Sequence, residues 1–461
     1  TGQTSFASNA GTSGADLNVD TAIASGKTGE GIVVAIVDSG LEIAHEDIAD
    51  NVVANGSWNY SNSTTDPTPS GSGSDHGTMV AGIVAAKGWN NLGGRGVAPN
   101  ASVRAFNLLV DSSASNEADA LGADNDRAAD VSVFNMSYGG QNWTSTASDT
   151  ALAYPNATVL AALVAGTDDL RSTKGALYVN SVGNDYYNGD TGTGLFSYCG
   201  DGVNAGSFKI GCYDAVFDSV FVRPYVIGVA ALDADNIKAK YSTPGAATWI
   251  SAFGGDYGRD SAYGAGYVYS NSSVAIPYKP AITTIDRSSC SKGANSSSGS
   301  RKNTFNDYQN PHSENANCNY TNTMNGTSSA APMVSGIIAL MLEANSALTW
   351  RDVKHILATT AVQVDSSFSA TDVTGIPYVE WITNSTGLKF HPWYGFGGVD
   401  ATAAVNAASS YTAGSLGSSS FTSWNNSGIG SVSLGENVLG TQTLTESGSG
   451  TVEHVLVSLR V

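Results

Sequence analysis

Residues 32–37 read Ile-Val-Val-Ala-Ile-Val and stop at Asp38-Ser39-Gly40. A short, unbroken apolar run rich in β-branched residues has no polar face to give to water. It reads as a strand covered on both sides, and such strands belong to parallel sheets sandwiched between helices. Similar runs recur at 103–109, 131–136, 176–182 and 225–230. Helical patterns lie between them at 117–129 and 156–166. Alternating buried strands and helices predict an α/β fold, with a mostly parallel sheet flanked by helices. In such sheets, sites form beyond the carboxyl ends of the strands. Asp38, Ser137 and Asn184 each follow one of these runs.

Three more helices are expected. One opens at His76 and carries small residues at Ala81, Gly82, Ala85 and Ala86. A second, 329–344, reads as a long buried helix, with Pro332 in its first turns, where proline is tolerated. A third begins near Trp350, with Thr349 placed to cap it. Residues 291–303 are a low-complexity loop. The composition then divides the chain into a main domain at 1–406, a Ser/Gly/Asn-rich linker at 407–431 and a β-rich segment at 432–461. The last alternates polar and apolar residues but is too short for a complete second domain. No internal repeat is present.

The net charge is −19, from 21 Lys and Arg against 40 Asp and Glu. Nucleic acid and anionic membranes are therefore poor partners, since both need clustered basic residues. Spread acidity of this kind serves solubility. No stretch reaches the ~20 apolar residues of a membrane span. The first residues, Thr-Gly-Gln-Thr-Ser-Phe, are too polar for a signal peptide, so the chain reads as a mature form without its targeting segment. Its four cysteines allow three pairings, and none has C-x-x-C spacing. Two local bridges, Cys199 with Cys212 and Cys290 with Cys318, are favoured, because each closes a short Gly/Ser-rich loop. They imply an oxidising, extracellular setting.

Three segments carry chemistry: Asp38-Ser39-Gly40 after a buried strand, Asp75-His76-Gly77-Thr78 opening a helix, and 325–332, NGTSSAAP, opening another. A serine hydroxyl is a poor nucleophile unless a base takes its proton, and that base needs an orienting carboxylate. Ser328, His76 and Asp38 supply these types. Each has an ordinary reading alone: a turn aspartate, a packed or capping histidine, one serine among many. Their joint occurrence in the order Asp, His, Ser is the informative feature. A lipase or esterase would need G-x-S-x-G and serine before histidine; 326–330, GTSSA, lacks the second glycine.

The segments IVVAIVDSG, DHGTMVAGIVAA and NGTSSAAPMVSGIIALM resemble the three signature blocks of subtilisin-like serine peptidases, over roughly residues 30–360. LTWRDVKHIL and HPWYGFGGVDATAAV resemble the kexin/furin-like branch, and a bacterial secreted member of it. The resemblance implies a three-layer subtilisin-like fold, with the 432–461 segment as the start of a truncated P domain. It implies a serine endopeptidase that forms an acyl-enzyme on Ser328, with His76 as base, Asp38 as its orienter and Asn184 in Val182-Gly183-Asn184 as oxyanion donor. Ser137, Tyr138 and Gly139 correspond to the segment that binds substrate as an added strand. Asp214 corresponds to the branch's pocket aspartate for basic residues.

The branch usually has a second aspartate where Ser39 stands, and an acidic cluster where Tyr138-Gly139-Gly140-Gln141-Asn142 stands. Basic preference and broad subtilisin-like specificity therefore both stay open, with a catalytically silent scaffold as a further alternative. The resemblance also implies Ca2+. Asp47 and Asn90 would supply side-chain ligands, Lys87, Leu92 and Gly94 carbonyls, and Gln3 the ligand near the N-terminus. The implied partners are protein or peptide substrates, and a pro-region or chaperone during maturation.

Overall fold

Alternate residues of the first strand go to opposite sides of one sheet. In β1 (Val33–Asp38), Val34 and Ile36 enter one buried apolar cluster and Ala35 and Val37 another. The computed structural model describes residues 10–71, 75–123, 125–139, 156–186, 215, 220–259, 278–295, 303–371 and 377–418. Around β1 a seven-stranded parallel sheet runs in the order β2-β3-β1-β4-β5-β6-β7. Its other strands are β2 (Trp58–Asn59), β3 (Ser102–Asn107), β4 (Val131–Met136), β5 (Leu177–Ser181), β6 (Val226–Leu232) and β7 (Thr248–Phe253). The order turns back at β1, between β3 and β4. That is a topological switch point, where the strand ends splay and leave room for a site.

Helices cover both faces. A short α1 (Asp20–Ala24) precedes the sheet, and α2 (His76–Ala85) follows β2. Beyond β3 lie α3 (Ala114–Ala118) and α4 (Asn125–Ala128), and after β4 comes α5 (Ala157–Thr173). The C-terminal half adds α6 (Thr327–Ala344), α7 (Trp350–Thr360) and α8 (Ala401–Ser410). Val80 and Val84 of α2, Ile337 and Ile338 of α6, Ile356 of α7 and Val405 of α8 join the Val34–Ile36 side. Leu121, Val159 and Leu163 join the Ala35–Val37 side. The result is the expected helix–sheet–helix sandwich. Helix α6 has the length and apolarity of a membrane span, but 89% of it is buried in this core.

All five expected strands form. The sequence reading missed β2, only two residues long, and β7, whose Thr-Trp-Ile-Ser-Ala-Phe mixes polar and large residues at the edge of the sheet. The helix expected over 117–129 is broken. Its first residues close α3, a wide turn occupies Asp119–Ala123, and Gly122 takes φ 107°, which no regular helix holds. Thr349 does cap α7: its hydroxyl accepts the Asp352 N–H at 3.2 Å, and Asp352 returns a bond to the Thr349 N–H at 2.8 Å. Helix α8 continues through residues 407–410, which composition alone gave to the linker. Asp400 caps it, and Ala404, Val405 and Ala408 bury one side. Contacts divide the chain into Thr1–Ala413 and Gly414–Val461. The 432–461 segment lies outside the described residues.

A bridge joins Cys290 to Cys318 as expected, with Cα atoms 4.9 Å apart. It closes the loop between β8 (Ile282–Ile285) and β9 (Tyr320–Met324), a two-stranded antiparallel unit. Cys199 and Cys212 lie outside the described residues.

Candidate active site

Asp38 ends β1 fully buried, and both its carboxylate oxygens face Nδ1 of His76, at 2.8 and 2.9 Å. The Ser39 N–H donates to the same carboxylate at 2.6 Å. A carboxylate at Nδ1 fixes the proton there, so Nε2 is the open acceptor of the neutral ring. The imidazole is half-buried, 34% exposed. Burial pushes its pKa down, but the charge and hydrogen bond of Asp38 and the charge of Asp75 outweigh this, and the net shift is upward from 6.5. Helix α2 reaches Asp38 because Gly77 has no side chain; a Cβ there would lie 2.1 Å from the Gly40 carbonyl oxygen. Asp75 makes no side-chain cap for α2. The Gly77 N–H instead donates to Ser39 Oγ at 3.0 Å.

Ser328 sits in the first turn of α6, where backbone N–H groups have no helical acceptor. Its Oγ donates to the Ser137 carbonyl at 3.2 Å, and Ser137 Oγ donates back to the Ser328 carbonyl at 3.2 Å. That carbonyl is available because Pro332, four residues on, has no N–H to bond it. Asn135 Nδ2 donates to Ser137 Oγ at 2.9 Å, and Ser335 Oγ donates to Asn135 Oδ1 at 2.9 Å. A buried polar chain thus ties the end of β4 to α6. Among the described residues no hydrogen bond joins Ser328 to His76.

Asn184 follows β5. Its Oδ1 accepts from the Thr327 N–H at 2.8 Å and from the Thr327 hydroxyl at 3.0 Å. With Oδ1 held, Nδ2 is the end left to donate. Gly326 leaves space before it: φ is 114°, and a Cβ would stand 3.3 Å from Asn184 Nδ2. Asp38, His76, Ser328, Asn184 and Ser137 therefore gather around the carboxyl ends of β1, β4 and β5. Thr327 is the residue that sequence reading missed. Its signal was the Gly-Thr-Ser tripeptide, in which only the serine drew attention.

Tyr138 and Gly139 continue from Ser137, and Tyr138 Oη lies 3.2 Å from Glu117 Oε1. Asp214 and Gln3 lie outside the described residues.

Asp47 is fully buried, and the loop 87–94 folds over it. The Lys87 N–H donates to the Asp47 carbonyl at 2.7 Å, and Asn90 Nδ2 donates to its Oδ1 at 2.6 Å. Asp47 Oδ2 is buried and, among the described residues, has no hydrogen-bond partner. Burial lifts this carboxyl to about 6, against the Asn90 bond and with a further push from Glu46. An orphaned buried carboxylate oxygen under a loop of amides and carbonyls is a donor set for a hard cation. One detail departs from the expectation: Asn90 turns its Oδ1 to the Leu92 N–H at 3.1 Å, not toward Asp47. The Lys87 ammonium points away, to Asn51 and Asn100 at 3.1 Å each.

A parallel sheet with Asp, His and Ser gathered at its switch point is the architecture of subtilisin-like serine peptidases. The chain belongs to the subtilase family, whose profile matches residues 29–397. It is 33% identical over 424 residues to the Aeromonas extracellular serine protease of Aeromonas sobria, covering 89% of this chain and 62% of that one. It is 30% identical to kexin of Saccharomyces cerevisiae, over 84% of this chain and 37% of kexin. The crystal structure of the Aeromonas sobria serine protease in complex with the chaperone ORF2 superposes with a TM-score of 0.72 at 32% identity, covering 90% of this chain and 66% of that one. The chain thus spans less than two thirds of the length of these relatives.

Proposed function

We propose that this chain is a secreted serine endopeptidase of the kexin-like branch, acting through an acyl-enzyme on Ser328. The observation that carries the reading is the buried Asp38 carboxylate held on Nδ1 of His76 beside the start of α6. His76 Nε2 takes the proton of Ser328 Oγ as the oxygen attacks the scissile carbonyl. For this, Oγ leaves the Ser137 carbonyl and turns to Nε2; hydrogen bonds of this kind are often loose in a free enzyme. Asn184 Nδ2 and the Ser328 N–H hold the oxyanion. The imidazolium then gives its proton to the leaving amine. Water, deprotonated by the same ring, releases the acyl group. Ser137, Tyr138 and Gly139 receive the substrate backbone as an added strand.

Asp47, Asn90 and the carbonyls of Lys87, Leu92 and Gly94 would hold Ca2+, with Gln3 as a further ligand; the ion would supply rigidity to the loop. Secretion is supported by the extracellular relative and by the Cys290–Cys318 bridge. A relative seen with a chaperone supports a folding partner during maturation. A preference for basic residues rests on the kexin likeness and Asp214, and Ser39 weighs against it. Arg-ended and Phe-ended chromogenic peptides separate the two specificities: equal or reversed rates exclude the basic preference. The central test is labelling by a peptidyl phosphonate. It should modify Ser328 and abolish proteolysis, and a folded protein left unlabelled at Ser328 would defeat the reading.

A further inference from the structure

The two halves of the oxyanion site come from distant parts of the chain. Gly183 and Asn184 follow β5, while Gly326–Ser328 open α6. A third segment, Tyr241-Ser242-Thr243, is bonded to both. On the first half, the Thr243 N–H donates to the Gly183 carbonyl at 3.0 Å. The Asp185 N–H donates to Thr243 Oγ1 at 3.1 Å, and the Tyr186 N–H to the Tyr241 carbonyl at 3.1 Å. These three bonds bracket Asn184. On the second half, Tyr241 Oη accepts the Gly326 N–H at 2.9 Å and donates to the Gly255 carbonyl at 2.7 Å. Ser242 Oγ fastens the segment to β6 by accepting the Ala231 N–H at 3.0 Å. All three side chains are buried, with Ser242 and Thr243 at 0% and 1% exposure.

A phenol that both accepts and donates fixes the position of its oxygen. Here it fixes the amide just before the first turn of α6. The Gly326 N–H is shared between Tyr241 Oη and the Gly254 carbonyl, the latter at 3.1 Å. Loss of the phenol oxygen would leave that amide bonded, but free to tilt toward Gly254. The peptides that follow carry the Ser328 N–H and Ser328 Oγ. An oxyanion site works by holding its donors in place before the charge forms, and shifts of about 1 Å cost on the order of 100-fold in rate. Resting on the peptidase reading above, we propose that Tyr241 and Thr243 are positioning residues of the oxyanion site: one clamps the start of α6, the other clamps the Asn184 turn, and neither touches substrate.

The test compares Tyr241→Phe, Thr243→Val and Thr243→Ser with the unaltered protein on one peptide anilide, with melting curves for each. Tyr241→Phe and Thr243→Val should lower kcat by about tenfold or more while KM stays within about twofold. Affinity for a peptide aldehyde, whose adduct puts an oxyanion in the site, should fall by the same factor. Thr243→Ser keeps the hydroxyl and should retain the original kcat. The loss in Asn184→Ala/Tyr241→Phe should fall well short of the product of the single losses, because both changes act on one site. A folded Tyr241→Phe variant with kcat within about threefold of the original overturns the proposal. So does a kcat in Thr243→Ser as low as in Thr243→Val. Failure of the peptidase reading looks different: the unaltered protein itself would not be labelled at Ser328.

Discussion

Asp38 places two oxygens on one imidazole nitrogen, and this fixes which proton His76 carries. Asp38→Asn keeps the shape but offers an amide N–H to Nδ1. The ring proton then moves to Nε2, the atom that accepts from Ser328 in the proposed mechanism. The expected outcome is a fall in kcat of about 10⁴-fold with little change in fold, a magnitude carried over from other Asp–His–Ser peptidases. Steady-state kinetics on a peptide anilide measures it, and a loss below about tenfold would contradict the assigned tautomer. The same contact sets the pH dependence. The His76 pKa is raised, so the ring stays protonated and inactive as a base to a pH above 6.5. Activity should rise with pH through a limb above 6.5, and the limb should move down in Asp38→Asn, where the attracting charge is gone. The sign for stability is the reverse: the imidazolium–carboxylate pair stabilises the fold fully below 6.5 and less as pH rises through the raised pKa. The places of Asp38, His76, Ser328 and Asn184 in the proposed site were legible in the sequence because each stands in a short motif at, or within a few residues of, the end or start of an element. Thr327 and Ser335 were not. Their contacts, to Asn184 and Asn135, cross 143 and 200 residues, and no local pattern encodes such distances.

Buried runs announce central strands, since a covered strand has no polar residue to interrupt it; β1, β3, β4, β5 and β6 were legible for this reason. Strand β7 is also mostly buried, but Thr248 and Ser251 break its apolar run. Ser251 is tolerated because its Oγ donates to the Tyr394 carbonyl at 3.0 Å, a partner 143 residues away. Helix α7 hides a comparable feature. Lys354 is 5% exposed and, among the described residues, has no carboxylate partner. Its ammonium donates to the carbonyls of Pro224 and Val226 at 2.5 and 2.9 Å and lies 3.9 Å from the centre of the Trp249 ring. Burial lowers its pKa from 10.5 to about 7. Between those values the unfolded chain binds a proton that the folded chain refuses, so stability rises with pH across that window and this cost is greatest at and below about 7. Lys354→Met, which fills the same space without the charge, should gain in melting temperature relative to the parent at pH 7, and the gain should shrink by pH 10. A gap that widens with pH would refute the assignment.

A charge of −19 on the whole molecule makes any further buried carboxylate harder to ionise, and Asp47 is the test of how the fold deals with one. The loop clasped by Cys290–Cys318 has a different device. Its bridge spans 28 residues, and loop entropy gives such a bridge about 3–4 kcal/mol. Cys290→Ser/Cys318→Ser should lose about that much in denaturant melts; a loss below about 0.5 kcal/mol would show that the polar packing between β8 and β9 suffices without the bridge. Asp47 has no such covalent help. Its Oδ2 is buried without a partner among the described residues, and its carboxyl is pushed up to about 6. With no cation present, Asp47→Asn removes a cost and should leave the protein as stable as the parent or more so. With Ca2+ held by Asp47 and the 87–94 loop, the parent alone gains binding energy, about 2.7 kcal/mol when the ion stands at 100 times its dissociation constant. Calcium should therefore raise the melting temperature of the parent, and a chelator should lower it. The Asp47→Asn variant should ignore both, lying below the calcium-loaded parent but not below the chelated one. A parent whose melting temperature does not respond to calcium would remove the ion from this loop and leave Asp47 as an uncompensated buried acid.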